Sequence, residues 1–338
     1  MVKRVRAETE GGDQYGLAPP SGLQFISSGC RKLDCDLGGG WPLGRVSNVV
    51  GDASTGKTLL AIEAAANFVR DYEGFVEFDE AEAAFDRPYA EGLGLDMRRV
   101  KLKSVDTVED IEARLSRRID LCLQKNVPGL FIWDSIDATT DKAEQETAFD
   151  KGSYGGSKPK QIGKLFRSHV RGLREANIHL MCISQTRDKI GVTFGEKHTR
   201  SGGKALQFYA SQVLWLSHLG QIHKTVAGVK RTIGIEIRGK VKKNKIGVNY
   251  REANFNIEFG FGIDDLQASV AWLQEIGRLA DVGLDGREGK KVKVESYLSS
   301  IRTMDSKTYA SEAKRIGKVI PRVWKEVETA FLPTRKKY

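Results

Sequence analysis

Apolar runs alternating with helical patterns shape the first two thirds of the chain. Residues 45–50 (RVSNVV) and 75–79 (FVEFD) read as short strands. Residues 130–133 (LFIW) end in Asp134-Ser135, and residues 178–184 (IHLMCIS) end in Gln185. Between them, residues 59–69 (LLAIEAAANFV) suit a buried helix. Residues 107–125 carry Ile111, Leu115, Ile119 and Leu123 at every fourth position, which predicts one buried helical stripe. Continuous apolar strands separated by helices predict an α/β fold with a mostly parallel central sheet, covered on both faces. From 213 to 259 the pattern changes to short alternating segments (VLWLSHL, RTIGIEIRGKVKKNK, ANFNIEF), which predict an antiparallel extension of that sheet. Residues 265–276 return to helix, 283–291 form a polar turn, and 307–331 read as amphipathic helices rich in Lys and Arg.

Three regions follow: a basic arm over 1–24 that ends at Pro19-Pro20-Ser21-Gly22, a core over 25–264, and a small basic α-rich domain over 265–338. Residues 38–44 (GGGWPLG) make a tight turn into the strand at 45–50. Two Gly/Lys-rich stretches inside the core read as loops, residues 150–160 (DKGSYGGSKPK) and 186–203 (TRDKIGVTFGEKHTRSGG). The second is too long for an ordinary connection, which points to function. No internal repeat is visible.

With 338 residues, 40% of them hydrophobic, the chain is long enough for one large core and a smaller appended domain. No apolar run approaches the ~20 residues that span a bilayer, and the charged N-terminus has no apolar segment after it, so a cytoplasmic protein is expected, with no membrane partner. Cys30, Cys35, Cys122 and Cys182 lack zinc-type spacing and read as buried free thiols. The net charge of +10 gathers at residues 3–6, 224–245 and 314–337, clusters suited to a polyanion.

The chemistry centres on residues 51–58, Gly51-Asp52-Ala53-Ser54-Thr55-Gly56-Lys57-Thr58, a phosphate-binding loop in its required context of strand, loop and helix. Gly51 and Gly56 let successive N–H groups and the helix N-terminus approach a triphosphate. Lys57 is placed to reach the β and γ phosphates and the Thr58 hydroxyl to ligate Mg²⁺. Asp134, at the end of an apolar strand, is a candidate to hold the same ion through water. The acidic stretch Asp79-Glu80-Ala81-Glu82 offers several carboxylates to orient a water nucleophile, and spacing does not choose among them. Gln185 ends another strand at that edge, where a neutral amide is able to sense a γ-phosphate.

Taken together, these stretches resemble the bacterial RecA recombinase family and its phage relatives, from Phe25 to about Ile276. The resemblance runs through FISSGCRKLDCDLGGGWPLGRV, GDASTGKT, FDEAEAAFDRPYAEGLGLD, FIWDSIDA, ISQTRDKIGVTFG, SGGKALQFYAS and KVKKNKIGVNYREANFNI. It implies a RecA-like P-loop ATPase core using ATP and Mg²⁺. Asp86 and Tyr89 match the adenine-contacting pair, which places the catalytic glutamate at Glu82 and the Walker B aspartate at Asp134. Gln185 matches the residue coupling γ-phosphate to DNA. Residues 186–203 match the second DNA-binding loop, with Arg187, Lys189, Lys197, Arg200, Gly202 and Gly203 as its DNA-contact candidates. Phe208 matches an interface aromatic, and Lys243 and Lys245 match the pair that reaches a neighbouring subunit's ATP.

The implied function is a DNA-dependent ATPase that self-associates into a helical filament or ring on single-stranded DNA and pairs it with a homologous duplex. The alternatives are a recombination mediator or accessory ATP-binding protein with weak or no strand exchange, and a ring-forming motor on the same core. Three departures from the family pattern stand out. A short polar arm occupies the place of its N-terminal helix and strand, DKGSYGGSKPK replaces its first DNA loop, and the C-terminal end (TRKKY) is basic rather than acidic.

Overall fold

The computed structural model describes residues 20–146, 157–188, 198–200, 203–285, 294–333 and 335. The chain begins with β1 (Phe25–Ile26), α1 (Arg31–Leu37) and β2 (Trp41–Pro42), the two strands pairing antiparallel. Strand and helix then alternate: β3 (Val46–Gly51), α2 (Lys57–Asp71), β4 (Phe75–Glu80), α3 (Arg87–Gly92), β5 (Val100–Ser104), α4 (Val108–Lys125), β6 (Gly129–Asp134), α5 (Lys142–Glu146), α6 (Ser157–Glu175) and β7 (Ile178–Asp188). After β8 (His198–Arg200) and α7 (Gly203–Tyr209) come β9 (Gln212–Val226), β10 (Val229–Asn244), β11 (Glu252–Glu258) and β12 (Gly262–Ile263). Four helices close the chain: α8 (Asp265–Glu275), α9 (Val294–Ile301), α10 (Ser306–Gly317) and α11 (Ile320–Ala330).

One sheet runs β12-β11-β10-β9-β3-β7-β6-β4-β5, with β8 paired to the end of β7. From β9 to β5 neighbouring strands are parallel, and from β9 to β12 they are antiparallel. This is the expected α/β architecture, and the parallel strands β3 and β6 are buried along their whole length. Side chains alternate between two cores, as the pleat requires. Leu130, Ile132, Met181 and Ile183 join α2 on one face. Phe131, Trp133, Leu180 and Cys182 join α4 and α6 on the other. A third apolar cluster is built from Leu266, Val270 and Leu273 of α8 together with Ile316, Ile320 and Val323 of α10 and α11.

Four local readings change. Leu123 is exposed, and the buried stripe of α4 runs through Val108, Ile111, Leu115, Arg118, Ile119 and Cys122. A helix advances 100° per residue, so each four-residue step overshoots the core by about 40°, and three steps carry Leu123 out of it. Arg118 takes an inward position because its guanidinium donates to Glu77 on β4, with Nε 2.9 Å from Oε2. Residues 157–160 are not loop but the first turn of α6, where Pro159 is tolerated because first-turn N–H groups have no helical acceptor. Residues 186–188 continue β7 and pair antiparallel with 198–200. Residues 213–244 form two long strands rather than short segments. All four cysteines are free; Cys30, Cys122 and Cys182 are buried and Cys35 is half-buried. Among the described residues, no helix is long and apolar enough to cross a membrane.

His179 ties β7 to the covering strand β2: its ring is fully buried and its Nδ1 donates to the Pro42 carbonyl at 2.7 Å. Burial disfavours the imidazolium and pulls its pKa down to about 4, against the bond to Pro42, which pulls the other way. The unfolded imidazole titrates near ~6.5, so between those values the unfolded chain holds the extra proton and stability falls as pH falls. His179→Asn, which keeps an N–H donor, is expected to lose about 2 kcal/mol less than the parent between pH 7 and pH 5. Urea midpoints at both pH values measure this, and parallel pH profiles for the two proteins would refute it.

Candidate nucleotide site at the carboxyl edge of the sheet

The loop between β3 and α2 is shaped by contacts that leave no room for side chains at its glycines. A Cβ on Gly51 would lie 2.5 Å from Thr55 Oγ1 and 3.0 Å from the Leu216 carbonyl oxygen, and one on Gly56, where φ is +82°, would enter the Ile257 side chain. Ser54 also takes a left-handed conformation, with φ 59°. The Asp52 carbonyl accepts from both Thr55 Oγ1 (2.8 Å) and Lys57 Nζ (2.6 Å), closing the loop on itself. Burial lowers the Lys57 pKa, against the pull of Asp134, Glu82, Asp52 and Asp137. Behind it α2 directs its N-terminus at the loop, with Gly56 as N-cap.

Parallel register brings the other candidates to the same edge. Gly51 pairs with Gln185 on β7, and Glu80 pairs with Asp134 on β6. Thr58 Oγ1 donates to Asp134 Oδ2 at 2.7 Å. Burial raises Asp134 to about 6, opposed by the Thr58 bond and assisted by the nearby Glu82 and Glu80 charges. The next peptide bond, Asp134–Ser135, is cis.

Geometry separates the acidic residues that spacing left equivalent. Asp79 is buried toward α4, 3.1 Å from Arg114, and burial pushes its pKa up to about 7. Glu80 Oε1 accepts the backbone N–H groups of Glu82 (2.9 Å) and Ala84 (3.0 Å), so it shapes the turn that follows β4. Glu82 is exposed at the site, where its Oε1 accepts from Ser135 Oγ (2.8 Å) and Gln185 Nε2 (3.1 Å). The Gln185 backbone N–H donates to Asp137 Oδ2 at 2.7 Å, which fixes the strand end from which that side chain reaches. Asp86 caps α3 by accepting the Tyr89 N–H (2.9 Å), and Tyr89 itself is half-buried.

Phe208, Lys243 and Lys245 meet each other at the opposite edge. Lys243 Nζ donates to the carbonyls of Gln207 (2.5 Å) and Phe208 (3.1 Å). Lys245 Nζ donates to the Phe208 carbonyl (3.2 Å) and lies 5.6 Å from the centroid of that ring, which is 70% exposed. Lys243 pairs with Val213, at the end of β9 that lies beside Asn48 of β3, while Gly51 pairs with Leu216. Of the DNA-contact candidates, Arg187 lies on β7, Arg200 on β8 and Gly203 at the start of α7. Lys189, Lys197 and Gly202 lie outside the described residues, as does the arm through residue 19.

The profile of the RecA N-terminal domain matches residues 14–264, a span that holds every site residue named above. The chain belongs to the RecA family. It is 36% identical over 246 residues to Protein RecA of Colwellia psychrerythraea, covering 72% of this chain and 68% of that one. Against Protein RecA of Prochlorococcus marinus the identity is 34% over 263 residues, 78% and 66% of the two chains. Against that of Nostoc sp. it is 33% over 262 residues, 77% and 70%. The chain thus spans about two thirds of the length of each relative.

One neighbour of the nucleotide loop escaped the sequence reading, Ile257. Ile257 of β11 packs over Gly56, and two residues on Phe259 is 59% exposed. After the turn, Gly262 of β12 lies against Leu93, the C-cap of α3, where a Cβ would be 2.8 Å from its Cδ2. The turn itself carries two phenylalanines flanking a glycine at 259–261, an odd composition for a solvated turn.

Glu80→Ala removes the acceptor of two backbone donors and is expected to cost about 1–3 kcal/mol. The Glu82 and Ala84 amides should lose protection in hydrogen exchange; unchanged protection would show that the turn holds its shape without Glu80.

Proposed function

We propose that this RecA-family chain is a DNA-dependent ATPase of recombination, assembling on single-stranded DNA and pairing it with a homologous duplex. The observation that carries the reading is the hydrogen bond from Gln185 to Glu82. Gln185 ends the buried part of β7, whose continuation enters the candidate DNA loop, so one amide touches the candidate hydrolytic carboxylate and leads directly to that loop. A γ-phosphate competing for the Gln185 amide is thereby linked to DNA at the loop, and DNA to the carboxylate.

The residues present fit ATP with Mg²⁺. A loop of exposed backbone at a helix N-terminus, a lysine with an ammonium group, and a threonine hydroxyl on a strand-end aspartate form the donor set a hard cation and a triphosphate require. Mg²⁺, when bound, neutralises phosphate charge. With them bound, Lys57 would exchange its bond to the Asp52 carbonyl for phosphate oxygens, Thr58 and Asp134 would hold the cation, and Glu82 would orient the attacking water. Asp86 and Tyr89 would contact the base.

Lys243 and Lys245 act on a neighbour's nucleotide in this reading. Through Val213, Lys243 stands level with Asn48 of β3, three residue steps or about 10 Å along the strand from Gly51. A lysine there does not reach its own loop, whereas stacking a second subunit against that edge brings cations to charge developing in the transition state.

Hydrolysis is expected to rise on adding single-stranded DNA, and absence of stimulation would overturn the reading. Lys57→Ala is expected to abolish nucleotide binding or turnover, and Glu82→Gln to keep binding while slowing hydrolysis by about 10²–10⁴-fold. A Glu82→Gln protein hydrolysing at the parent rate would remove Glu82 from the role. Mixing Glu82→Gln subunits with Lys243→Ala/Lys245→Ala subunits should recover hydrolysis that neither shows alone; additive, inactive mixtures would exclude action between subunits.

A further inference from the structure

Along Leu130–Trp133, β6 turns apolar side chains to both cores, whereas its neighbour β4 turns carboxylates to one of them. Glu77 and Asp79 are two residues apart and so share the face toward α4, where they are 2% and 0% exposed. Arg114 and Arg118, one turn apart on α4, meet them there. Arg118 Nε donates to Glu77 Oε2 at 2.9 Å, and Arg114 Nη1 lies 3.1 Å from Asp79 Oδ1. Four residues of helix rise about 6 Å and two residues of strand about 6.6 Å, so the two pairs form successive rungs of one ladder between helix and strand. Lys101 of β5 adds a cation 3.7 Å from Glu77 Oε1, and Lys103 stands beside Asp79 in the register.

Stability alone does not account for this ladder. Among the described residues Glu77 Oε1, both Asp79 oxygens, Arg114 Nη1 and, beside Asp79 on β6, Trp133 Nε1 are buried without an aligned hydrogen bond. Apolar side chains of the same volume would fill the space without that cost. What the ladder adds is geometry at the strand end. Arg114 Nη2 donates at 2.9 Å to the carbonyl of Ser104, the last residue of β5, so one guanidinium spans the ends of β4 and β5. The next residue, Val105, donates its N–H to the Glu80 carbonyl at 3.1 Å. The Glu80 carboxylate in turn accepts the N–H groups of Glu82 and Ala84. Arg114 is therefore joined to the turn that carries Glu82 by two routes, through Asp79 and through the end of β5.

We propose that Arg114 is a positioning residue for hydrolysis: paired with Asp79 and bound to the Ser104 carbonyl, it fixes the end of β4 and with it the turn that presents Glu82 to the nucleotide. This side of the site needs such a device. Among the described residues β5 is the edge strand, and its Lys101, Lys103 and Ser104 are exposed, so two-sided apolar burial does not pin it as it pins β6. The planar guanidinium holds a carboxylate and a carbonyl at a fixed angle, which a single ammonium does not. Arg114 itself stands behind the turn and acts only through the groups it holds. The proposal deepens the reading above and rests on the role given there to Glu82.

Removing one partner alone would leave a bare charge buried, so the test replaces both, as Asp79→Leu/Arg114→Met in the full chain. The melting temperature of this pair variant is expected to equal or exceed the parent's. At saturating ATP and single-stranded DNA its kcat should fall about 10–10²-fold, while KM and the affinity for a fluorescent ATP analogue keep the parent values. The Glu82 and Ala84 amides should exchange faster. Added to Glu82→Gln and followed in single turnovers, the same pair should cause no further loss, because the carboxylate it positions is already gone. Arg114→Lys keeps a cation for Asp79 but not the fork; it is carried through the same two backgrounds, with a smaller loss of kcat expected, and decides the matter if the pair variant does not fold. Parent kcat in the folded variants overturns the proposal, as does a loss carried by KM. An equal further loss in the Glu82→Gln background also overturns it, since Arg114 would then act on folding or assembly. Hydrolysis at the parent rate by Glu82→Gln alone would instead overturn the underlying role of Glu82.

Discussion

The parallel ladder through β3, β7, β6 and β4 is the constraint on which the rest of the molecule depends. Each strand is separated from the next in sequence by helices, yet the register sets Gly51 beside Gln185 and Glu80 beside Asp134. Slipping any of these pairings by one residue would turn apolar side chains from one core to the other and move a functional group to the wrong face. Burial of both faces makes that slip prohibitive, because Phe131 and Trp133 fill one core while Leu130 and Ile132 fill the other. Precision at the sheet edge is thus a by-product of packing several ångströms beneath it. The edge itself is open, so its polar groups satisfy one another: Thr58 with Asp134, Ser135 and Gln185 with Glu82, Lys57 with Asp52.

How much of this was legible depended on how local the signal was. The nucleotide loop is written in eight consecutive residues, and the central strands announce themselves because burial on both faces leaves unbroken apolar runs. The partition of Asp79, Glu80 and Glu82 was not legible in their spacing, and only the family resemblance singled out Glu82, since it depends on where each carboxylate finds a partner, and those partners lie on α4, on the turn itself and on β7. Leu123 was misread because a four-residue rhythm differs from a helical turn by little at each step and by much after three. The extension of β7 was hidden because its partner, 198–200, is separated from it by a stretch with no strand signature of its own. Ile257 was passed over because an apolar strand residue reads as ordinary core until the fold sets it beside Gly56.

The two ends of the sheet carry different chemistry. At one, loops and strand ends converge on backbone donors and carboxylates. At the other, Lys243 and Lys245 lean on the carbonyls that end α7, and Lys245 also on the Phe208 ring. A cationic, aromatic cluster at one edge and an acid- and donor-rich site at the other make the molecule polar along its strands, an asymmetry consistent with the contact between subunits proposed above.

The strand pair β9–β10 spans both ends. Its inner part is hydrogen-bonded into the sheet and ends at Asn244, and no other strand among the described residues pairs with its outer part. Fifteen residues of strand make a beam about 50 Å long. Three register shifts, at Thr232/Gly234, Glu236/Ile237 and Val241/Lys243, twist it without breaking the pairing. Such a beam acts as a pointer: a tilt of about 5° at its lysine end displaces the tip by about 4 Å. Mechanical gain of this kind needs no hinge and no rearranged core, only a stiff ladder held at one end.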